Sequence, residues 1–129
     1  MLNYLNPATV AKPFSRYSQA VAVPAGCRWL YVSGQVGATP DGTILAGFEA
    51  QAAQCWANIA TILAADGMGV ADLVKVDIFV TAAEHVAASR RIRDAALGGA
   101  QPASTFLVVA ALAHPDLLVE IEAVAARPV

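Results

Sequence analysis

The stretch that decides the fold is QPASTFLVVAALAHPDLLVEIEAVA, residues 101–125. It holds two apolar runs of strand length joined by a short polar connection, and the run over 105–112 is apolar enough for a strand buried on both faces. Glu120 and Glu122 stand inside the second run, where a carboxylate is costly unless water, a hydrogen bond or a partner compensates it. This combination predicts a site beside a tightly packed, oligomeric sheet.

The composition indicates more apolar surface than one small domain ordinarily needs. The chain is 57% hydrophobic and 14% charged, whereas a typical soluble domain is roughly 45–50% apolar and 25% charged. Since no apolar run approaches the ~20 residues of a membrane-spanning helix, we expect the excess to be buried between subunits of a homo-oligomer. The length of 129 residues predicts one domain over residues 1–129.

Charge and cysteine usage exclude several classes of protein. A net charge of −2 argues against a nucleic-acid binder, which usually concentrates basic residues on one face. The one basic cluster, Arg90, Arg91 and Arg93, is expected to be a solvated helix face or its flanks. Cys27 and Cys55 have no CxxC spacing and no histidine cluster nearby, which predicts free thiols. With no export signal at the N-terminus, we expect a cytoplasmic protein without membrane partner or metal.

Periodicity predicts the first half of the fold. Alternating residues over 18–23 and 28–36, separated by a turn, predict a β-hairpin. The proline and glycine within 39–43 predict a second turn. Residues 47–65 have the apolar spacing of an amphipathic helix, which Gly67 is suited to end in a left-handed conformation.

The second half continues with a strand, a helix and the two apolar runs. Residues 72–80 alternate as a strand, and the capping-box pattern at 81–84 predicts a helix that starts there and runs to about Leu97, before Gly98-Gly99. The order is therefore strand–strand–helix–strand–helix–strand–strand. Because two helices cover only one face of such a sheet, we expect the bare face to pack against copies of the chain.

No strong catalytic motif stands alone in the sequence. Residues 33–37, Ser-Gly-Gln-Val-Gly, are interpreted as a strand end where glycines permit bends. His85 and His114 are expected to be solvent-exposed. Nothing in the sequence positions a triad of Ser104, His114 and Asp116.

Glu120 and Glu122 share a parity, so in a regular strand both point to the same face. One interpretation is that they are partly exposed strand residues. The other is a polar pocket at a subunit seam, where a carboxylate holds or polarises a water molecule.

Taken in order, the motifs of the chain resemble the Rid family (reactive intermediate deaminase, YjgF-type, also described as endoribonuclease L-PSP). The fragments that carry the resemblance are Tyr17 within RYSQAV, YVSGQVG at 31–37, QAAQCWANIATILAADG at 51–67, VKVDIFVT at 74–81, Pro102-Ala103 and VEIEAVA at 119–125. The resemblance implies an α+β, chorismate-mutase-like fold, with a mixed sheet, two helices on one face, and a homotrimer with clefts between subunits.

The resemblance also implies a function for these clefts. Family members bind small carboxylated molecules there, and the best-known ones hydrolyse enamines or imines to a ketone and ammonia without metal or organic cofactor. In those members an arginine follows the Pro-Ala pair and grips the substrate carboxylate, as suits guanidinium geometry. This chain has Ser104 at that position, and we therefore expect an altered substrate specificity.

The remaining site residues are carried over position by position. Glu120 matches the glutamate that helps to place the attacking water, and Tyr17 matches the tyrosine that lines the cleft, so both are assigned to catalysis. Ser33, Ser104, Phe106 and Arg90 are assigned to substrate binding. Phe106 narrows the pocket in this interpretation, and Arg90 is either a displaced carboxylate anchor or a surface arginine.

Two functions from different classes follow. The first is hydrolysis of a small reactive enamine, imine or related labile metabolite to a carbonyl product and ammonia. The alternative is a non-catalytic trimer that binds a small metabolite, which the missing arginine favours. Ribonuclease activity, attached to some relatives, is disfavoured by the acidic charge balance.

Overall fold

Four of the six strands form one mixed sheet, and both α-helices pack on the same face of it. The structure is a computed structural model that describes residues 1–129. Its elements are β1 (Asn3–Leu5), β2 (Ala20–Ala22), β3 (Cys27–Val36), α1 (Phe48–Ala65), β4 (Leu73–Val80), α2 (Val86–Leu97), β5 (Ala103–Val108) and β6 (Val119–Pro128), with single 3₁₀ turns at Val70–Asp72 and Ala83–His85. The predicted arrangement, α+β with two helices on one face, is confirmed.

The strand order in the sheet is β3-β6-β4-β5. β6 is antiparallel to both β3 and β4, whereas β5 is parallel to β4. The parallel pair needs a crossover connection, and α2 provides it. β5 and β6 follow each other in the sequence but are not neighbours in the sheet, because β6 inserts between β3 and β4.

The core lies between the helices and the sheet. α1 contributes buried residues at helical spacing, among them Cys55, Ile59 and Leu63, and they pack against the alternating buried residues of β4 and β6. The helix ends as predicted, with Gly67 at φ 68°. Cys55 is fully buried.

The other face of the sheet has no cover within one chain. Tyr31 of β3 is 77% exposed there, and Leu107 of β5 is 47% exposed. β5 also ends at Val108 rather than at residue 112, and the N–H of Val109 makes the last hydrogen bond to β4, at the carbonyl of Val80. Burial of these exposed apolar side chains would therefore require a partner outside the chain, which the sequence predicts to be another copy.

The predicted hairpin between 18–23 and 28–36 is wrong. β2 pairs with β1, while β3 pairs with β6. The reason is that Ser18 is bonded to the start of β5, through its N–H to Pro102 and its hydroxyl to Gln101. β5 and β3 occupy opposite edges of the sheet, so this attachment holds the segment before β2 away from β3.

The start of the second helix also differs from the prediction. Thr81 makes no capping bond, and the Ala83–His85 turn precedes α2, which begins at Val86. Thr81 instead donates its backbone N–H to the carbonyl of Leu118, which keeps the chain extended beyond β4. His85 is only half-exposed, because its ring stacks on Phe48 with centroids 4.2 Å apart. His114 is exposed, as predicted.

Candidate functional site

A cavity of about 160 Å³ opens where the N-terminal segment, α2 and β5 meet. Its lining residues are Phe14, Ser15, Tyr17, Arg90, Arg93, Ser104 and Phe106. Four of the six site residues predicted from the sequence are therefore brought together, from three separate parts of the chain. Ser33 and Glu120 are not among them.

The sheet supplies one wall of this cavity. Ser104 and Phe106 stand opposite Val76 and Ile78 in the parallel register of β5 and β4. Both partners are core residues, and side chains that are paired across a ladder share a face. Ser104 and Phe106 therefore lie on the face that the helices cover, at the open edge of the sheet.

The N-terminal segment forms a second wall and is held by polar contacts. Ser18 is 1% exposed, and its hydroxyl donates to the carbonyl of Gln101 over 2.6 Å. Arg16 donates from Nη2 to the carbonyl of Gly98 over 2.9 Å. These bonds fix the backbone on both sides of Tyr17, whose hydroxyl accepts a hydrogen bond from the N–H of Phe14.

Arg93, on α2, is the residue that the sequence interpretation missed. It was expected in a solvated cluster, yet it is only 2% exposed, so that prediction is wrong for this residue. Its Nε and Nη2 donate to Oδ1 of Asp94 at 3.0 and 2.9 Å, and Nη2 also donates to Ser15. The signal was present in the sequence, because Ser89, Arg93 and Leu97 recur at intervals of four and all three are buried.

The other two arginines of the cluster have different surroundings. Arg90 is half-exposed and has no hydrogen-bond or carboxylate partner within the chain. Arg91 is exposed and pairs with Glu49. The expectation of a solvated face therefore fits Arg91 alone.

Glu120 lies on the opposite face of the sheet from this cavity. In the ladders of β6 it stands opposite Phe79 and Val36, while its sequence neighbours Val119 and Ile121 point into the core. Glu122 shares its face, as the parity predicted, and is the more exposed of the two glutamates. A single chain therefore does not bring Glu120 to Tyr17.

Ser33 belongs to this uncovered face as well. It lines a second, open depression of about 390 Å³ whose polar members include Tyr31, Asp77 and Glu122. Asp77 and Glu122 are direct partners across β4 and β6. Nζ of Lys75 lies 3.3 Å from Oδ1 of Asp77, and this ion pair offsets part of the repulsion between the two carboxylates.

The carboxylate of Glu120 rests against Gly34. A methyl group built on Gly34 would lie 1.9 Å from Oε2 of Glu120. Gly34 lies where the register of β3 against β6 shifts, between Val32 and Gln35, as the bend expected from the sequence implies. It does not have a positive φ, and the absence of a side chain also permits this close approach of Glu120 to the backbone. Gly37 is needed for the same reason, because a methyl group there would lie 2.4 Å from Cα of Gln51.

Burial raises the pKa of the Cys55 thiol from 9.0 to about 12, and the negative charge of Glu120 adds to the shift. Both effects disfavour the thiolate, which is the reactive form of cysteine. Cys55 is therefore a packing residue of α1.

No cluster of histidine, cysteine, aspartate and glutamate side chains in the chain is arranged to hold a metal ion. Neither His114 nor Asp116 lines the cavity that contains Ser104, so the three do not assemble there as a triad. Neither α1 nor α2 combines the length and hydrophobicity that crossing a membrane requires.

Comparison with known proteins places this architecture among characterised folds. Residues 8–127 match the family described as Endoribonuclease L-PSP. The chain is 34% identical over 116 residues to the RutC family protein PH0854 of Pyrococcus horikoshii, covering 88% of this chain and 89% of that protein. It is 39% identical to a RutC family protein of Aquifex aeolicus over 70 residues, which span 54% of each chain.

The fold is likewise shared with solved structures. YyfB of Yersinia pestis, a protein of unknown function in the conserved Rid family, superposes with a TM-score of 0.86 at 32% identity, covering 98% of both chains. The predicted chorismate-mutase-like fold class is confirmed, while the trimer stays a prediction.

Proposed function

Because the chain belongs to the Endoribonuclease L-PSP family, which includes the Rid and YjgF-type proteins, we propose that it hydrolyses a small reactive enamine or imine in a cleft between subunits. The products are a carbonyl compound and ammonia. The cleft combines the cavity beside α2 of one subunit with the uncovered sheet face of the next.

The observation that carries this proposal is the division of the site residues between the two faces of the sheet. Tyr17, Ser104 and Phe106 line a cavity on the helix side, whereas Glu120 stands on the side that lacks cover. A single chain cannot join these groups, but a second copy packed in a ring can present its Glu120 to the cavity of its neighbour. Apolar side chains exposed on that face, such as Tyr31 and Leu107, favour such packing.

The chemistry requires one water molecule and three proton transfers. Water adds to the carbon of the protonated C=N bond, giving a carbinolamine, while a carboxylate accepts the proton that the water loses. That proton then passes to the nitrogen, and the carboxylate accepts the hydroxyl proton of the carbinolamine as the C–N bond breaks, so that ammonia leaves and the carbonyl forms. Glu120 holds and activates the water in this scheme, and Tyr17 contacts the substrate. An enamine first becomes an imine by proton transfer to carbon.

A second candidate is a trimer that binds a metabolite without converting it. It is favoured by the lining of the cavity within one chain, which contains no carboxylate and no histidine. Ser104 offers a hydroxyl where a cation would hold a substrate more firmly, since hydrogen bonds to charged groups contribute about 1.5–3 kcal/mol.

The two candidates are separated by following imine decay. An amino-acid oxidase or threonine dehydratase generates the imine, and its loss is timed with the protein present. We expect accelerated decay that falls at least about 100-fold in Glu120→Gln, the typical contribution of a general base. Glu84→Gln, at an exposed position, is the control. Equal decay with and without the wild-type protein, across several imines, would favour the binding function.

Ribonuclease activity, suggested by the description of the matching family, has less support in this chain. Six of the eight basic residues, Arg16, Arg28, Lys75, Arg91, Arg93 and Arg127, are already paired with carboxylates. Little positive surface therefore remains for a phosphate backbone. RNA cleavage that copurifies with the protein through stringent purification would contradict this.

A further inference from the structure

We propose that α2 supplies the anion-binding group of this cleft, with Arg93 as a fixed guanidinium and Arg90 as a movable one that together hold a ligand carboxylate. The inference rests on the proposed function for the cleft, but it assigns ligand recognition to residues of the helix rather than to β5. It makes the ligand a compact carboxylate.

Arg93 has hydrogen-bond donors that no other protein group uses. A guanidinium has five N–H groups. The Nε–H and the two Nη2–H groups are used by Asp94 and Ser15, whereas Nη1 has no protein partner. Every fully buried side-chain nitrogen and oxygen does have a partner, so Nη1 keeps some exposed surface, which we assign to the cavity that Arg93 lines. A cation that is 2% exposed thus presents two unused donors to the cavity.

The positive charges around the cavity outnumber the negative ones. Asp94 is the only carboxylate bonded to Arg93, and Arg16 also lies within 3.9 Å of it. One negative charge is therefore shared by two arginines, and Arg90 adds a third cation that has no partner. No acidic side chain lines the cavity. An anion that enters this partly buried space meets uncompensated positive charge at reduced dielectric.

The positions of Arg90 and Arg93 on α2 suit a ligand that both contact. Arg90 and Arg93 are three residues apart on one helix and therefore project from the same face. Arg93 cannot swing, because Asp94 and Ser15 hold one edge of its guanidinium, while Arg90 has no such restraint. A planar carboxylate suits this pair, since guanidinium groups recognise it through parallel N–H···O bonds.

The size and the remaining walls restrict the ligand further. The cavity of about 160 Å³ is close to an engineered cavity of roughly 150 Å³ that accommodates benzene. Phe14, Tyr17 and Phe106 give it aromatic walls. We therefore expect a carboxylate whose other part is small and apolar, with room for larger groups only toward the neighbouring subunit.

The test uses benzoate and its neutral isostere benzamide as probes of the full-length protein by titration calorimetry. We expect benzoate to bind more tightly than benzamide, and Arg90→Gln and Arg93→Gln each to weaken benzoate by roughly 10- to 100-fold without changing benzamide. Arg91→Gln, on the same helix but paired with Glu49, is the matched control and should leave both affinities unchanged.

A purely structural role for Arg93, holding the N-terminal segment through Ser15, predicts a different result. Benzoate and benzamide would then weaken equally, and this outcome would overturn the proposal. Failure of wild type to prefer benzoate would do so too. If Arg93→Gln does not fold, Arg93→Lys is titrated in its place. The side-chain ¹⁵N resonances of the arginines are also recorded in the wild-type protein. Benzoate must shift the Arg93 signals and leave those of Arg91 in place.

The outcome is independent of catalysis. Selective benzoate binding through Arg90 and Arg93, without any imine hydrolysis, would remove the enzymatic proposal and leave the anion site. If the protein hydrolyses imines but neither Arg90→Gln nor Arg93→Gln changes its affinity for benzoate, the anion site is contradicted and the enzymatic proposal stands.

Discussion

At the scale of single residues, the position of the Glu120 carboxylate depends on a missing side chain at Gly34. The methyl group of an alanine there would occupy the place of Oε2. Because the obstructed atoms belong to the flexible end of a side chain, the carboxylate can move while the backbone stays. An alanine at position 34 would therefore change the site and leave the fold intact.

Gly34→Ala is therefore expected to reduce imine hydrolysis about as strongly as Glu120→Gln, by roughly 100-fold, while the melting temperature changes little. Gly69→Ala is the matched control, because nothing lies within 4 Å of the added methyl group and Gly69 has φ −139°. Hydrolysis at the wild-type rate in Gly34→Ala would show that Glu120 does not need its present position.

The two thiols should differ in reactivity. Cys27 is half-exposed, whereas Cys55 is buried with a pKa raised to about 12. We expect one thiol per chain to react with a disulfide reagent at pH 8 in the native protein, and two after unfolding. Cys27→Ser should abolish the native reaction. A native reaction that persists in this variant would show that α1 opens readily.

The raised pKa of Cys55 also makes the free energy of unfolding depend on pH. The folded state holds the Cys55 proton more tightly than the unfolded state, whose pKa is near 9.0. The stabilisation is therefore complete below about pH 9 and is lost as the pH rises toward 12. The free energy of unfolding of wild type should fall over this interval more steeply than that of Cys55→Ala.

At the scale of elements, Gln51 ties α1 to two connections of the chain. It is 1% exposed, its Nε2 donates to the carbonyls of Leu45 and Asp116, and its Oε1 accepts from the N–H of Leu118. These contacts hold the segment before α1 and the segment before β6 against one helix turn. They therefore help to direct β6 between β3 and β4.

Gln51→Leu keeps the volume of the side chain but leaves these backbone groups without partners. We expect the free energy of unfolding to fall by about 1–3 kcal/mol, the usual cost of an unsatisfied buried polar group, as measured by urea denaturation. Gln101→Leu, at an exposed position, should change it by less than about 0.5 kcal/mol. Equal stability of the Gln51 variant and wild type would mean that water replaces the lost bonds.

At the scale of the whole molecule, the proposed cleft requires residues from two copies. The sheet separates Glu120 from the cavity that holds Tyr17, so no movement of one side chain can join them. We expect a homotrimer in sedimentation experiments.

Mixed oligomers test this arrangement directly. Glu120→Gln and Tyr17→Ala should each be nearly inactive, but co-refolding them in equal amounts should restore activity at about a quarter of the sites, those with both groups intact in a cyclic trimer. The control mixes Tyr17→Ala with Arg90→Gln. Both residues line the same cavity of one chain, so every cavity in this mixture lacks either Tyr17 or Arg90. Absence of recovery in the first mixture would contradict a site shared between subunits.

Much of this architecture is determined by local patterns in the sequence. The helical spacing of α1, the glycine that ends it and the alternation in β4 and β6 each depend on neighbours along the chain, and the structure follows them. The common orientation of Glu120 and Glu122 follows from strand parity for the same reason. The family resemblance added four residues that do meet at one cavity.

Only the tertiary structure decided which strands pair and which polar groups are buried. The attachment of Ser18 to β5, the insertion of β6 and the burial of Arg93 depend on partners far away in the chain. The spacing of residues along the chain does not predict whether a charged side chain is buried, because the same arginine is solvated or enclosed according to what packs over it. The contact between Gly34 and Glu120 likewise joins two strands that approach only when the sheet has formed.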